Sequence, residues 1–373
     1  MRRVLFARQM VTPLDVVADA AVLIEDGVIQ AAGSRAVVEV PAGTQSDDYG
    51  EALLAPGLVD IHLHGGAGVD VMSAGPGDWK RLRLHLARHG VTHFLATTVS
   101  SPWEDLLTSV GCIAQAGVEI HLEGPFLSPA RRGVHPTANL LEPTRQRLEQ
   151  LWQRSEGLVR MITVAPELPG AGEFIATAAA HDICVSLGHS DATAAQTHAG
   201  IAAGARHVTH TFNAMRPLHQ REPGLLGVAL SEAELSAEII ADGIHVDPAL
   251  VKLFVHAKAP GKAILVTDAI SAAGMGEGEF TLGGIAVSVV HGRCLAGETL
   301  AGSVLTLDQA VRNVVAWTGC GWAAAVRMAS LNPALLLGWK KRGRLEAGAA
   351  ADVAVFSPHG EILAAYGAGR LVN

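Results

Sequence analysis

Short apolar runs and longer helical segments alternate over most of the sequence, and this alternation constrains the fold more than any other feature. Apolar runs typical of buried strands occupy residues 91–99, 118–124, 183–190, 206–212, 234–242 and 262–270. Segments rich in Ala and Leu lie between them, for example residues 103–117 and 192–205. Such alternation indicates parallel strands joined by crossover helices. Over this length it predicts an α/β fold with a (β/α)8 TIM-type barrel.

The two ends of the chain have a different sequence pattern, which predicts short strands and turns instead of alternating strands and helices. Asp26-Gly27 joins two β-rich runs near the N-terminus and predicts a hairpin. We predict that residues 1–53 and 346–373 fold together as a small β-sandwich domain, and that residues 54–345 form the barrel. Within the barrel region, residues 278–297 have the pattern of an inserted β-hairpin.

Composition argues against several classes of protein. The 373 residues carry a formal net charge of −8, which argues against binding to nucleic acid but allows a few local cations to hold an anionic substrate. The four cysteines follow no CxxC spacing, as expected for free thiols in a reducing cytosol. No apolar run approaches the roughly 20 residues of a membrane span, and no signal peptide is evident. We expect a cytoplasmic protein without membrane partners.

Polar side chains that can bind metals or transfer protons stand at the ends of the apolar runs. They are His62, His64, Glu123, His189, His210 and Asp268. Each one taken alone could be a hydrogen-bonded core residue or an ion-pair partner. Taken together, residues of these types at the carboxyl ends of barrel strands indicate a metal-dependent hydrolase.

The alternation of side chains along a strand shows which of these histidines can point to the same side. His62 and His64 are two residues apart, so both side chains point to the same side of a strand, as a pair of metal ligands would. His207 lies three residues before His210 and has the opposite parity. We therefore interpret His207 as structural.

Longer stretches of the sequence resemble the amidohydrolase superfamily, and within it the deacetylases that act on N-acetylhexosamine 6-phosphates. The matching stretches are APGLVDIHLHGGAG, HLEGPFLSPARRGVHP, SLGHSDAT, HVTHTFNAMRPLHQREPGLLG, ADGIHVDP, LVTDAISAAG and LAGS. They extend from residue 55 to about residue 303, and residues 330–356 add a match in the C-terminal flank. The resemblance therefore covers nearly the whole chain.

This resemblance implies a metal centre and a reaction. Glu123, His189 and His210 correspond to the protein ligands of a principal divalent ion, and Asp268 to the catalytic acid and base. The implied reaction is hydrolysis of the acetamide of N-acetylglucosamine 6-phosphate to glucosamine 6-phosphate and acetate, in amino-sugar catabolism. The ion would activate water, and Asp268 would act as general base and then as general acid.

The number and kind of metal ions stay open in the sequence. Some family members replace the first histidines and work with one ion, whereas this chain keeps His62 and His64. Glu123 could then bridge two ions, at the strand position where many relatives carry a carboxylated lysine. We expect one or two ions per subunit, with zinc favoured and iron, cobalt or manganese as alternatives.

The resemblance also implies a set of substrate-binding residues, which are Val134, His135, Asn213, Ala214, Arg221, His245, Leu300, Ala301 and Gly302. His135 would reach the acetyl carbonyl. Arg221 would bind the phosphate, in its own site or in that of a neighbouring subunit of a homodimer; the alternative is an ion pair with Glu222. His245 would lie near the sugar; the alternative is a hydrogen bond with Asp242 or Asp247.

Three other functions stay open at this point. The first is deacetylation of N-acetylgalactosamine 6-phosphate, which differs from the glucosamine compound at one hydroxyl group. The second is hydrolysis of a cyclic amide or a nucleobase, which the implied phosphate ligand Arg221 disfavours. The third is a barrel without catalysis, which the intact set of donor residues disfavours.

Overall fold

The computed structural model describes residues 2–12, 15–258 and 261–372. The chain divides into two compact units. One consists of Met1–Asp60, Arg83–Phe94 and Thr306–Asn373, and the other of Ile61–Leu82 and Leu95–Leu305. The second unit contains all of the candidate site residues.

Eight parallel strands form a closed ring. In chain order they are β1 Leu58–Leu63, β2 Val91–Thr98, β3 Ile120–Glu123, β4 Val159–Val164, β5 Cys184–Leu187, β6 His207–Val208, β7 Ala237–Ile240 and β8 Ala263–Val266. Strands β1 to β6 share one sheet, and β7 pairs with β8. Val208 N donates to Ser236 O next to β7 at 3.0 Å, and Asp268 N beyond β8 donates to His62 O at 2.9 Å. These bonds complete the ring and confirm the predicted (β/α)8 barrel.

Ten α-helices occur in the described part of the chain. They are Pro76–Arg88, Trp103–Gln115, Arg145–Arg154, Ala171–Ala180, Ala194–Ala203, Gly224–Ser231, Pro248–Lys258, Leu307–Thr318, Gly321–Met328 and Leu331–Leu336. Local sequence sets several of their ends. Thr193 and Gln196 form a reciprocal capping box at the start of Ala194–Ala203. Within residues 2–12, 15–258 and 261–372, none of the helices combines the length and apolar character that crossing a bilayer requires.

The inserted segment after β8 is larger than the predicted hairpin. It forms a four-stranded antiparallel sheet, Gly278–Leu282, Ile285–Val290, Arg293–Ala296 and Thr299–Leu300, which we call the meander. One face of the meander packs through Val287, Val289 and Cys294 onto Ile270 and Val99. The predicted hairpin is present as the first two strands. Two further tight turns, at His291-Gly292 and at Gly297, add the third and fourth strands. Two further short strands, Gly65–Gly66 and Val69–Asp70, pair with each other.

Strands from both ends of the chain share one eight-stranded sheet. They are Arg2–Val11, Val16–Glu25, Val28–Ser34, Gln45–Asp48, Leu53–Pro56, Val353–Phe356, Ile362–Gly367 and Arg370–Leu371. Val353 pairs with Pro56, which joins the C-terminal strands to the N-terminal ones. The predicted hairpin is confirmed, with Asp26 at φ 50° and Gly27 at φ 82° in its turn. The predicted boundaries at residues 53 and 346 stay a prediction.

Candidate metal centre and active site

The six candidate donor residues lie at the carboxyl ends of five barrel strands. His62 and His64 come from the end of β1, and Glu123 ends β3. His189, His210 and Asp268 each follow their strand, β5, β6 or β8, by two residues. All six side chains are buried, which brings two carboxylates and four imidazoles together away from water. Groups of these types are buried together only when they are paired or hold a cation.

The first cluster of donor atoms is formed by Glu123, His189 and His210. Glu123 Oε1 lies 2.9 Å from His210 Nε2 and 3.2 Å from His189 Nε2. The two Nε2 atoms are 3.0 Å apart. Ligand atoms about 2.1 Å from a tetrahedral divalent ion lie roughly 3.4 Å from one another. The cluster therefore has the composition and the spacing of a site for a divalent cation.

The second cluster is formed by His62, His64 and Asp268. Asp268 Oδ1 lies 3.0 Å from His64 Nε2 and 3.4 Å from His62 Nε2. Glu123 also borders this cluster, since its Oε1 lies 3.4 Å from His62 Nε2 and its Oε2 lies 3.3 Å from His64 Nε2. The two clusters are therefore adjacent, with Glu123 between them.

Hydrogen bonds on the far side of three of the four rings fix which nitrogen faces the clusters. The Nδ1 atoms of His189 and His64 donate to the carbonyl oxygens of Arg131 and Thr97, at 2.9 and 3.0 Å. His62 Nδ1 lies 2.6 Å from a carboxylate oxygen of Glu238. Because these oxygens only accept hydrogen bonds, Nδ1 carries the proton. In the neutral rings the Nε2 lone pair points toward the clusters, as metal ligation requires.

His135 has the opposite arrangement. Its Nδ1 accepts a hydrogen bond from the backbone N–H of Ser100 at 3.1 Å. The proton of the neutral ring is therefore on Nε2, which lies 3.6 Å from Glu123 Oε2. His135 thus presents a hydrogen-bond donor to the site, where the other histidines present lone pairs.

The carboxylates make the cluster strongly attractive to positive charge. Burial alone would lower the pKa of His64, but the hydrogen bonds and charges of Asp268 and Glu123 raise that pKa to about 9. Burial likewise opposes protonation of His62, but the charges of Glu123, Glu238 and Asp268 raise its pKa well above the ordinary value. For His189, burial wins and lowers the pKa to about 4. The excess of negative charge is what a divalent cation would neutralise.

Several of these residues have a left-handed backbone conformation. The φ angle is 47° at His189, 23° at His210, 51° at Asp268 and 50° at Ala214. This conformation is unfavourable for residues with a Cβ atom, and a cluster of such residues is typical of functional sites. It turns the chain sharply at the strand ends, so that side chains two residues beyond the strands point into the site.

A cavity of about 400 Å³ opens over the two clusters. Of the predicted substrate-binding residues, seven line it: Val134, His135, Asn213, Ala214, His245, Leu300 and Gly302. Ala301 is fully buried and donates its N–H to Cys294 O at 3.0 Å, so it supports the loop between two lining residues.

The alternatives for Arg221 and His245 were an ion pair with Glu222 and a hydrogen bond with Asp242 or Asp247, and the contacts of both residues bear on them. Arg221 is exposed and is not among the residues that line the cavity. The carboxylate of Glu222 accepts from the backbone N–H groups of Ala194 and Gly224, rather than from Arg221. His245 Nδ1 lies 2.7 Å from Asp242 Oδ2, so the hydrogen bond with Asp242 is present while His245 also lines the cavity.

Sequence reasoning missed several residues around the site. Glu238 on β7 is fully buried between His62 and His207, and His121 on β3 is fully buried beside Thr163. Both interrupt apolar runs, in SAEIIAD and IHLEG, and that interruption was the signal that could have identified them. Arg293 and Glu298 of the meander also line the cavity, but no pattern near them in the sequence pointed to the site.

The fold and the donor set together define a (β/α)8 barrel with a candidate divalent-metal centre at the carboxyl ends of its strands. The chain belongs to the amidohydrolase family, whose model matches residues 53–372.

Three similar proteins are deacetylases of N-acetylhexosamine 6-phosphates. The chain is 40% identical over 349 residues to the N-acetylgalactosamine-6-phosphate deacetylase of Escherichia coli O157:H7, covering 91% of this chain and 90% of that protein. It is 35% identical over 370 residues to the N-acetylglucosamine-6-phosphate deacetylase of Bacillus subtilis (strain 168), covering 95% and 93%. A structure of the N-acetyl-D-glucosamine-6-phosphate deacetylase from Mycobacterium smegmatis, an Asp-to-Ala mutant in complex with N-acetyl-D-glucosamine 6-phosphate, superposes with a TM-score of 0.94 at 36% identity. The match covers 100% of this chain and 99% of that chain.

Proposed function

We propose that this protein hydrolyses the acetamide of N-acetylglucosamine 6-phosphate to glucosamine 6-phosphate and acetate, with the help of one or two divalent cations. The observation that carries the proposal is the pair of donor clusters around Glu123, which lie beneath a cavity that His135 lines. Similarity over nearly the full length to deacetylases of N-acetylhexosamine 6-phosphates supports the choice of substrate.

Glu123, His189 and His210 would hold the principal cation, and His62, His64 and Asp268 a second one. The bound cation supplies Lewis acidity, which makes water a better nucleophile at neutral pH and polarises the acetamide carbonyl. The nitrogen and oxygen donors suit zinc, our first choice, and also iron, cobalt and manganese.

The reaction needs a base and an oxyanion donor, and two side chains are suited to these roles. Asp268 takes a proton from the attacking water and returns it to the departing nitrogen, which is otherwise a poor leaving group. The Nε2–H of His135 donates a hydrogen bond to the carbonyl oxygen as negative charge develops there.

The remaining cavity residues would orient the sugar. Asn213 and Ala214, which follow β6, and His245, which follows β7, line the cavity together with Val134 and His135. Leu300, Ala301 and Gly302 would form the loop over the acetamide, and Leu300 and Gly302 line the cavity. Arg221 would bind the phosphate through its guanidinium fork. Because Arg221 is exposed outside the lining of its own cavity, we propose that it reaches the site of a neighbouring subunit in a homodimer.

The galactosamine epimer is the second candidate substrate, because the Escherichia coli relative at 40% identity is an N-acetylgalactosamine-6-phosphate deacetylase. The two compounds differ at one hydroxyl group, so both fit the chemistry proposed above. We place the reaction in amino-sugar catabolism in the cytoplasm.

Acetate release from the two hexosamine phosphates, measured on purified protein with its metal content determined, tests the function. We expect release from the glucosamine compound with metal present and loss of release after chelation. Faster release from the galactosamine compound would replace the first substrate with the second. No release from either compound would refute both proposals.

Replacement of the proposed base tests the mechanism. Asp268→Asn should reduce kcat by at least about 10²-fold, the range typical of a general acid–base group. The principal cation should stay bound, because Asp268 is not part of the Glu123, His189 and His210 cluster. Loss of all metal from this variant would instead make Asp268 chiefly a ligand.

A further inference from the structure

Glu238 is a fully buried carboxylate on β7 that the reaction described above does not use. One of its oxygens, Oε1, lies 2.6 Å from His62 Nδ1 and accepts the backbone N–H of His210 at 3.0 Å. The other oxygen, Oε2, lies 3.0 Å from His207 Nε2. Glu238 therefore contacts a candidate ligand residue from each of the two donor clusters.

The contact with His62 fixes the orientation of that ring. A carboxylate accepts hydrogen bonds, so the Nδ1 proton of His62 is committed to Glu238 and the ring cannot rotate without losing this bond. His62 Nε2 then faces Glu123 and Asp268, at 3.4 Å from each. A carboxylate behind a ligating histidine also makes the ligand nitrogen more basic, which strengthens its bond to a metal.

The charge of Glu238 acts in the same direction. Together with Glu123 and Asp268, it brings three carboxylates into one buried region. A single divalent cation neutralises only two of those charges, and uncompensated charge in a buried region is costly. The third carboxylate therefore leaves a net negative charge that attracts further positive charge beside the first cation.

We infer that Glu238 is a positioning residue that holds His62 in the orientation needed to bind a second divalent cation at the His62, His64 and Asp268 cluster. This inference rests on the proposed function, because it concerns the same metal centre. The same inference assigns a role to His207, because its Nε2 forms a hydrogen bond with Glu238 Oε2 and so holds the Glu238 carboxylate in place.

Two substitutions of Glu238 distinguish the effect of its hydrogen bond, which orients His62, from the effect of its negative charge. In Glu238→Gln the amide oxygen can still accept from His62, but the charge is lost. In Glu238→Leu both the charge and the hydrogen bond are lost. Asp308→Asn is the matched control, because Asp308 is a buried carboxylate that pairs with His89 and Arg312 and contacts no candidate ligand.

The readout is metal binding, measured as Zn²⁺ per subunit and as the affinity for each ion in competition with a chelator. We expect two ions in the unaltered protein and in Asp308→Asn. Removing a carboxylate behind a ligating histidine typically weakens metal affinity 10- to 100-fold, so the second ion should weaken by about that factor in Glu238→Gln and further in Glu238→Leu, while the first ion stays bound.

A double-mutant cycle distinguishes positioning from a general structural role. If Glu238 acts through His62, then Glu238→Gln should have no further effect on metal affinity in a His62→Ala background. If Glu238→Gln does not fold, His207→Gln carries the same test, since it releases the far oxygen of Glu238 and should weaken the second ion alone.

The outcomes separate this inference from the proposed function. Two ions bound with unchanged affinity in both Glu238 variants would overturn the inference, and so would a single ion in the unaltered protein. In either case the deacetylase proposal stands if acetate is still released. An unaltered protein that binds no divalent ion and releases no acetate overturns the proposed function itself.

Discussion

His135 and His189 lie with their ring centroids 4.8 Å apart, yet they present opposite chemistry to the cavity. His189 Nδ1 donates to a backbone carbonyl, whereas His135 Nδ1 accepts from a backbone N–H. The same residue type therefore serves as a candidate metal ligand in one case and as a hydrogen-bond donor in the other. The difference comes from one backbone group behind each ring, which the sequence does not reveal.

Removing the His135 donor should impair turnover more than binding. In His135→Ala the developing oxyanion loses one hydrogen bond, and we expect kcat to fall by about 10²- to 10³-fold with little change in KM. Steady-state kinetics of acetate release checks this.

Ser100→Ala is the control: it removes the hydroxyl that lies 2.9 Å from His135 Nδ1, while the backbone N–H of Ser100 still donates to Nδ1 and preserves the tautomer. Its kcat should fall by much less than that of His135→Ala. Equal losses in the two variants, or a purely KM effect in His135→Ala, would contradict the oxyanion role.

The proposed role of Arg221 predicts that its replacement affects only substrates that carry a phosphate. In Arg221→Ala the loss of a charge-assisted hydrogen bond, about 1.5–3 kcal/mol, should raise KM for the phosphorylated sugar roughly 10- to 100-fold. The unphosphorylated sugar should be affected little, and similar effects on both compounds would refute the phosphate role.

Subunit mixing tests whether Arg221 acts in a neighbouring site. Mixed dimers of Arg221→Ala and Asp268→Asn combine one intact Asp268 with one intact Arg221. If Arg221 acts across the interface, these dimers regain a low KM; if it acts in its own subunit, they do not.

The strands and helices of the barrel were largely predictable, because the apolar runs and the Ala-rich segments alternate clearly in the sequence. The exceptions have local physical causes. The run around His210 forms only the two-residue strand His207–Val208, since the left-handed conformation at His210 ends the extended chain. The meander exceeds a hairpin because two extra turns follow the first one, at His291-Gly292 and at Gly297, where φ is 64°.

Two glycines of the meander region allow a matched test of the loop over the cavity. Gly302 and Gly297 have similar φ angles, 62° and 64°. A Cβ atom at Gly302 would lie 2.5 Å from Ile270 Cγ2 and 2.8 Å from Asp268 O, whereas at Gly297 no atom lies within 4 Å. Both substitutions carry the left-handed cost of about 1–2 kcal/mol.

Gly302→Ala should therefore destabilise the protein by about 1–3 kcal/mol more than Gly297→Ala, as overpacking does. It should also lower kcat, because Ser303 N donates to Asp268 O at 2.8 Å and a shifted loop moves Asp268. Denaturant unfolding and kinetics of both variants provide the comparison. Equal behaviour of the two variants would show that the loop does not restrain Asp268.

At the scale of the whole molecule, metal removal should lower the melting temperature. A ligand that binds only the folded state stabilises it by about 1.4 kcal/mol for each tenfold excess of free ligand over Kd. Without a cation, Glu123, Asp268 and Glu238 also stay buried together. We expect chelation to lower Tm by several degrees and added Zn²⁺ to restore it, as measured by calorimetry.

His189→Asn provides the control for metal removal, because it disrupts the principal cluster. Its Tm should respond much less to the chelator than that of the unaltered protein. An unaltered protein whose Tm is the same with and without chelator would contradict a buried metal centre.

The sequence by itself determined the barrel, the hairpin at Asp26-Gly27 and the set of six candidate donor residues. It could do so because strand–helix alternation and polar residues at the ends of apolar runs are local patterns. The resemblance had already grouped Glu123, His189 and His210. The tertiary structure decided that Asp268 joins His62 and His64, because these residues are far apart in the chain and meet only when β8 closes the ring onto β1. Closure also placed Glu238 behind His62 at 2.6 Å. Such contacts depend on the order of the strands in the barrel and on the turn of the chain at each strand end. No single stretch of sequence predicts either one, because both depend on residues far apart in the chain.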